Sequence, residues 1–208
     1  MRHDTGRLFG AAEIKRALLT LLFLCLPSLV EAALYTIDSK QSSLTFTWSY
    51  SGLSDETGTV KSIHGTAHVN ETEPEQSDVN VTIQLADLKA DDESTQALLK
   101  GESFFDVARY PTITFISDRI LQLDDQKDQM SGQLTMHGVT RPVTLDITFP
   151  PQDREALRAR HKANLTLNAQ TTLNRTDFNM TDYAGFVADM VSISITVHLV
   201  KAPVKIAK

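Results

Sequence analysis

A chain of 208 residues with 20 Lys and Arg against 26 Asp and Glu carries a net charge of −6, which argues against a nucleic-acid binder, since those present a basic face. Its one cysteine, Cys25, rules out an internal disulfide framework and a cysteine metal site. The length suits one hydrophobic core and is short for two, so a single domain is expected.

The first residues read as a secretory signal. Arg2, Arg7, Lys15 and Arg16 precede an uncharged run over residues 17–30, which is followed by the small pair Ala32 and Ala33. The run has the length of a signal h-region and falls short of the roughly 18 apolar residues of a membrane-spanning helix. Cleavage is expected after Ala32, giving a signal peptide over 1–32, a domain over 33–201 and a tail over 202–208. Phe23 and Leu24 ahead of Cys25 do not suit a lipoprotein signal, and cleavage removes the thiol. Without the leader's four basic and three acidic residues the net charge becomes −7, which serves solubility and says little about a ligand.

Apolar residues then recur with period two, the signature of strands with one face in a core. The clearest runs are Leu44, Phe46, Trp48, Tyr50; Val79, Val81, Ile83, Leu85; Val143, Leu145, Ile147, Phe149; and Val191, Ile193, Ile195, Val197, Leu199. Weaker ones lie at 63–69, 113–115, 134–136 and 165–173, for about eight strands. Residues 91–100, with Gln96, Ala97, Leu98 and Leu99 ahead of Gly101, read as one short helix over an end or side of the sheet. Turns are expected at Gly52, at Asp124, Asp125 and Gly132, at Pro150 and Pro151, and over 174–179.

Strands separated by short turns make an antiparallel meander, and closing it into a barrel removes the exposed edges. The fold class is therefore all-β: an eight-stranded antiparallel barrel with a short helix between strands. Such a barrel is either filled by its own side chains or holds one ligand. Small inward residues such as Gly65, Ala67 and Ala169 beside Phe46, Trp48 and Phe115 fit both readings.

Chemistry-bearing groups are sparse. His64 and His68 fall on a strand, where four residues span roughly 13 Å, too far to share an ion. His137, His161 and His198 have no companion at ligand spacing and read as surface or turn residues. Asp91, Asp92 and Glu93 suit the N-terminus of the short helix better than paired-acid catalysis. No hydrolase, zinc-protease or nucleotide motif appears, so neither an enzyme nor a metal or cofactor is expected. The sequons at Asn70, Asn80, Asn164, Asn174 and Asn179 are read as chance matches in a Ser/Thr-rich β protein.

Four blocks in order carry a resemblance. They are Tyr35-Thr-Ile-Asp38 with Ser42 and Phe46; Phe104-Phe-Asp-Val-Ala-Arg-Tyr-Pro111 with Ile113 and Phe115; Gly132-Gln-Leu-Thr-Met-His-Gly-Val-Thr-Arg-Pro-Val143; and Asn174-Arg-Thr-Asp-Phe178. Together they resemble the YceI-like family of periplasmic, lipocalin-like barrels, from Tyr35 to about Lys201. Gly138 to Pro142 reads as a compact turn, Pro111 as a helix stop, and Phe104 and Phe105 as anchors for the helix. The chain departs from the family pattern at Val60, Lys61, Ser62 and Ile63, where an aromatic-rich strand is usual, and at Asn179, where glycine is usual.

The resemblance implies a periplasmic carrier of a long apolar chain, such as a polyisoprenoid, an isoprenoid quinone or a fatty-acyl-like lipid; a monomer or homodimer is expected from a chain long enough to build its own core. The residues expected on the cavity wall are Phe46, Trp48, Phe105, Phe115, Met136 and Phe178. Arg109 and Arg175 are the candidates to meet a head group, Arg175 having the alternative of an ion pair with Asp177. The rival function is an envelope stress-related structural protein with a self-filled barrel and no ligand.

Overall fold

Alternation of this kind forces each strand to put one face against a shared interior. The structure, a computed structural model, describes residues 32–50, 52, 54–70, 73–158 and 164–203. The leader to residue 31, His161 and the tail beyond 203 lie outside the described residues.

The strands are β1 (Ala33–Ile37), β2 (Ser43–Tyr50), β3 (Ser54–Val60), β4 (Ile63–Val69), β5 (Asp78–Gln84), β6 (Lys89–Ala90), β7 (Thr112–Gln122), β8 (Lys127–Met136), β9 (Val139–Thr148), β10 (Asn164–Asn174) and β11 (Met190–Lys201). All pair antiparallel in one sheet, and β1 pairs with β11 to close it. Eight strands, in the order β1-β4-β5-β7-β8-β9-β10-β11, form the closed barrel, and β2, β3 and β6 extend it beyond β11. Each extension continues a barrel strand: β2 follows β1, β3 leads into β4, and β6 follows β5.

The interruptions have local causes. Between Ile37, opposite Leu199, and Ser43, opposite Thr196, the first strand advances six residues while β11 advances three. The surplus forms a corner in which Asp38 Oδ1 accepts the Lys40 N–H and the Asp38 carbonyl accepts the Ser42 N–H. The β3–β4 break falls at Lys61 and Ser62, where Asp87 takes both the N–H and the hydroxyl of Ser62 at 3.0 and 2.9 Å. Asp87 itself lies in the 3-10 turn Leu85–Asp87, which separates β5 from β6. One carboxylate thus ties two of the three breaks together.

Helix α1 (Glu93–Lys100) forms where expected, with Asp92 as N-cap accepting the Thr95 N–H at 2.9 Å. A second helix, α2 (Pro151–Arg158), stands where Pro150 and Pro151 were expected to make a turn. Proline at the first helical position loses nothing, because that N–H has no intrahelical acceptor. Its buried side chains are Asp153 and Arg154, the first accepting the Thr166 N–H of β10 and the second pairing with buried Asp128 of β8. The expected turn over 138–142 is also shorter. His137 and Gly138, with φ of +50° and +74°, make a two-residue hairpin, and Pro142 lies inside β9.

Two apolar clusters result. The larger lines the barrel interior, and the smaller is built on Tyr35, Ala67, Leu165 and Leu199 with Leu157 of α2 packed on it.

Candidate ligand cavity

Inside the barrel the side chains do not meet. A cavity of about 190 Å³ remains, and its surface is apolar throughout. Along β11 it is lined from Val191 to Leu199, roughly 27 Å of strand and about 20 Å of barrel axis at the usual strand tilt. The cavity is a tube rather than a local void. For scale, a dry apolar cavity of ~150 Å³ accepts benzene. Water finds no partner on such a wall, and at about 24 cal/mol per Å³ an empty tube of this size costs on the order of 5 kcal/mol.

The aromatic wall depends on two glycines. A Cβ on Gly58, which faces Phe46 across β2 and β3, would lie 2.1 Å from the end of the Phe46 ring. A Cβ on Gly132 would lie 2.6 Å from the Phe115 ring and 2.3 Å from the Ile116 carbonyl oxygen. The missing side chains let both rings lie flat against the sheet, out of the tube. Phe46 stacks on Trp48 at 5.5 Å and receives the edge of Phe105 at 5.6 Å. Ala67 and Ala169 line the tube and leave room; Gly65 sits where a Cβ would meet the Asn80 carbonyl oxygen at 2.3 Å, so it serves close strand packing.

Five of the six expected wall residues, Phe46, Trp48, Phe105, Phe115 and Met136, line the tube, and Phe178 is buried outside its lining. Phe104 joins them and stacks on Tyr183. Val60 and Ile63, where the chain departs from the family's aromatic pattern, also line it, so the departure lies on the wall itself. Leu99 of α1 and Met180 and Val187 of the loop before β11 are lining residues that period two does not reveal, since none belongs to a strand.

The two arginines are not brought together. Arg109 is exposed, 5.2 Å from the Tyr110 ring centre, and outside the cavity lining. Arg175 is buried, and each of its three side-chain nitrogens donates to a backbone carbonyl. Its Nε donates to the Ala188 carbonyl at 3.2 Å, Nη1 to those of Met180 and Asp182 at 2.6 and 2.7 Å, and Nη2 to that of Val187 at 3.2 Å. Nη2 also lies 3.0 Å from Asp189 Oδ1, so the ion pair is with Asp189 and not Asp177. The loop before β11 wraps around this guanidinium, which holds Met180 and Val187 against the tube.

The described histidines lie apart from the tube. His64 and His68 point outward, and His68 Nδ1 is 3.0 Å from Asp78 Oδ1. His137 Nδ1 lies 3.0 Å from the Phe178 carbonyl oxygen, and His198 Nδ1 3.2 Å from the Thr166 hydroxyl.

Comparison with known proteins agrees with this geometry. The YceI-like domain model matches residues 35–199. The chain belongs to the YceI-like family. A UPF0312 protein of Pseudomonas putida strain F1 is 31% identical over 172 residues, 82% of this chain and 88% of that one. A UPF0312 protein of Pseudomonas syringae pv. tomato strain DC3000 is 30% identical over 151 residues, covering 72% and 77%. Among solved structures, Burkholderia cenocepacia BcnA has a similar fold at a TM-score of 0.68 and 22% identity, covering 78% of this chain and 98% of that one. A polyisoprenoid binding domain from Saccharophagus degradans, implicated in plant cell wall breakdown, aligns at a TM-score of 0.57 and 15% identity, covering 83% and 100%. The YceI-like fold shared with these structures is the closed antiparallel barrel described above.

Proposed function

We propose that this YceI-like chain is an exported, periplasmic carrier that holds one long apolar chain, prenyl or fatty-acyl, along the barrel axis. The apolar tube carries the reading. Burying each CH₂ of a ligand there stabilises by about 0.8 kcal/mol, which offsets the cost of the empty space. The neighbour whose name states polyisoprenoid binding supports a prenyl chain as the first ligand to try. The arrangement favours binding over chemistry, because the one ionisable side chain among the described lining residues, Arg175, has all three side-chain nitrogens bonded to backbone carbonyls. Export rests on the leader's basic start and uncharged run.

A self-filled structural barrel is the rival, and the open tube speaks against it. Extracting the purified protein with organic solvent and analysing the extract by mass spectrometry decides between them. A stoichiometric prenyl or acyl species is the expected result. A clean extract, from a protein that also takes up no added chain, rejects the carrier.

A further inference from the structure

One seam of the barrel is open along part of its length. Strands β9 and β10 are bridged only at Thr148–Asn168, Ile147–Ala169 and Asp146–Gln170, although β9 runs from Val139 and β10 to Asn174. Neither strand is frayed there. The same part of β9 stays paired with β8 as far as Met136–Val139, and β10 is paired with β11 along its whole length. Pro142 lies in the unpaired stretch and has no N–H to offer. Past the gap the two sides meet again, where the His137 ring of the β8–β9 hairpin reaches the Phe178 carbonyl just after β10. The result is a window framed at both ends.

A further observation places this window beside the tube. An outer trough of about 600 Å³, bordered by Gln129, Thr144, Asp146, Gln170, Thr172 and Ser192, shares Thr171 and Ile193 with the inner cavity.

We propose that the window between β9 and β10 is the doorway of the tube and the seat of the ligand's head group, and that this head group is neutral and hydrogen-bonding, such as an alcohol, amide or carbonyl. The inference rests on the carrier reading. Hydroxyls and carboxamides supply the trough's donors and acceptors, and Asp146 is the one charged side chain among its described lining residues. A phosphate there would meet the Asp146 carboxylate with no cation in the lining to offset it. Arg109 and Arg175, the cations that a phosphate would need, are absent from the trough.

The test uses geranylgeraniol and geranylgeranyl phosphate, one chain with two heads, on protein expressed as the full chain and delipidated. Wild type should bind the alcohol about tenfold more tightly than the phosphate, and Asp146→Lys, at an exposed position, should erase or reverse that preference. For the doorway, Thr144→Cys on the window's rim and Asn80→Cys, exposed on β5, are each modified with a bulky maleimide, beside wild type treated alike. Uptake of the alcohol from vesicles should slow only in the modified Thr144→Cys protein. Equal affinity for the two heads in wild type, or unchanged uptake after modification at residue 144, overturns the inference and leaves the carrier standing. Failure of wild type to bind either molecule removes the carrier reading itself.

Discussion

The His198 N–H donates to the Ser42 hydroxyl at 3.0 Å, and that hydroxyl donates in turn to the Asp38 carbonyl at 2.8 Å. Ser42 thereby satisfies a strand β11 donor at the point where the first strand bulges away from it. The side chain is buried, so losing the hydroxyl leaves an orphaned N–H. Ser42→Ala should destabilise the protein by about 1–3 kcal/mol. Urea unfolding checks this as a lower midpoint at unchanged slope.

Gly58 and Gly65 separate function from stability. A Cβ on Gly58 meets only the Phe46 ring among its nearest neighbours, and that ring can yield by moving into the tube. A Cβ on Gly65 meets the backbone oxygen of Asn80, which cannot yield without opening the β4–β5 pairing. In Gly58→Ala the affinity for a fluorescent prenyl or acyl probe should therefore fall further than stability does. Gly65→Ala should show the reverse order, read from probe titration and denaturant unfolding of the two variants side by side.

Arg175 is expected to act through architecture. Arg175→Met leaves four backbone carbonyls without their donor and loosens the loop that carries Met180 and Val187, at a cost of about 3–5 kcal/mol. The Asp189 side chain is 53% exposed, so Asp189→Asn should cost no more than about 1 kcal/mol. Chemical denaturation of the two variants tests the contrast. A small loss in Arg175→Met would show that the guanidinium does not organise the loop.

Acid should weaken the cap of α1. The hydroxyl of Ser94, then that of Thr95 and the Thr95 N–H, hold the Asp92 carboxyl far below its ordinary range. A group whose pKa is lowered on folding contributes stability that is present above its unfolded value, about 3.9, and fades as pH falls toward the folded value. Wild type should therefore lose thermal stability below about pH 4 more steeply than Asp92→Asn, which keeps a capping side chain without the titration. Asp38, through Gln41, and Asp124, through the Gln126 N–H, are lowered as well, so the difference between the two proteins isolates Asp92. Parallel profiles would contradict this.

The sequence showed the eight long strands wherever one face is plainly apolar, as in Leu44, Phe46 and Trp48. It hid β1, whose pairing with β11 closes the barrel, and β3, whose residues Ser54–Val60 are mostly polar and turn only Gly58 and Val60 inward as buried positions. Helix α2 was invisible for a different reason: its buried side chains are Asp153 and Arg154, so no apolar stripe marks it. The alternation identified which side chains face inward, but not whether they meet. That depends on how far Gly58 and Gly132 let two rings lie back, a property of cross-strand register. The window likewise required knowing that Pro142 falls within a strand and not in the turn before it.

The most direct test of the central claim is thermal unfolding of the delipidated protein with and without an added prenyl or acyl chain. A ligand that fills the tube of the native state alone should add about 2.7 kcal/mol at a hundredfold excess over its dissociation constant, and the midpoint should climb with ligand concentration. A midpoint that does not move at saturating concentrations of either class of chain would contradict the account.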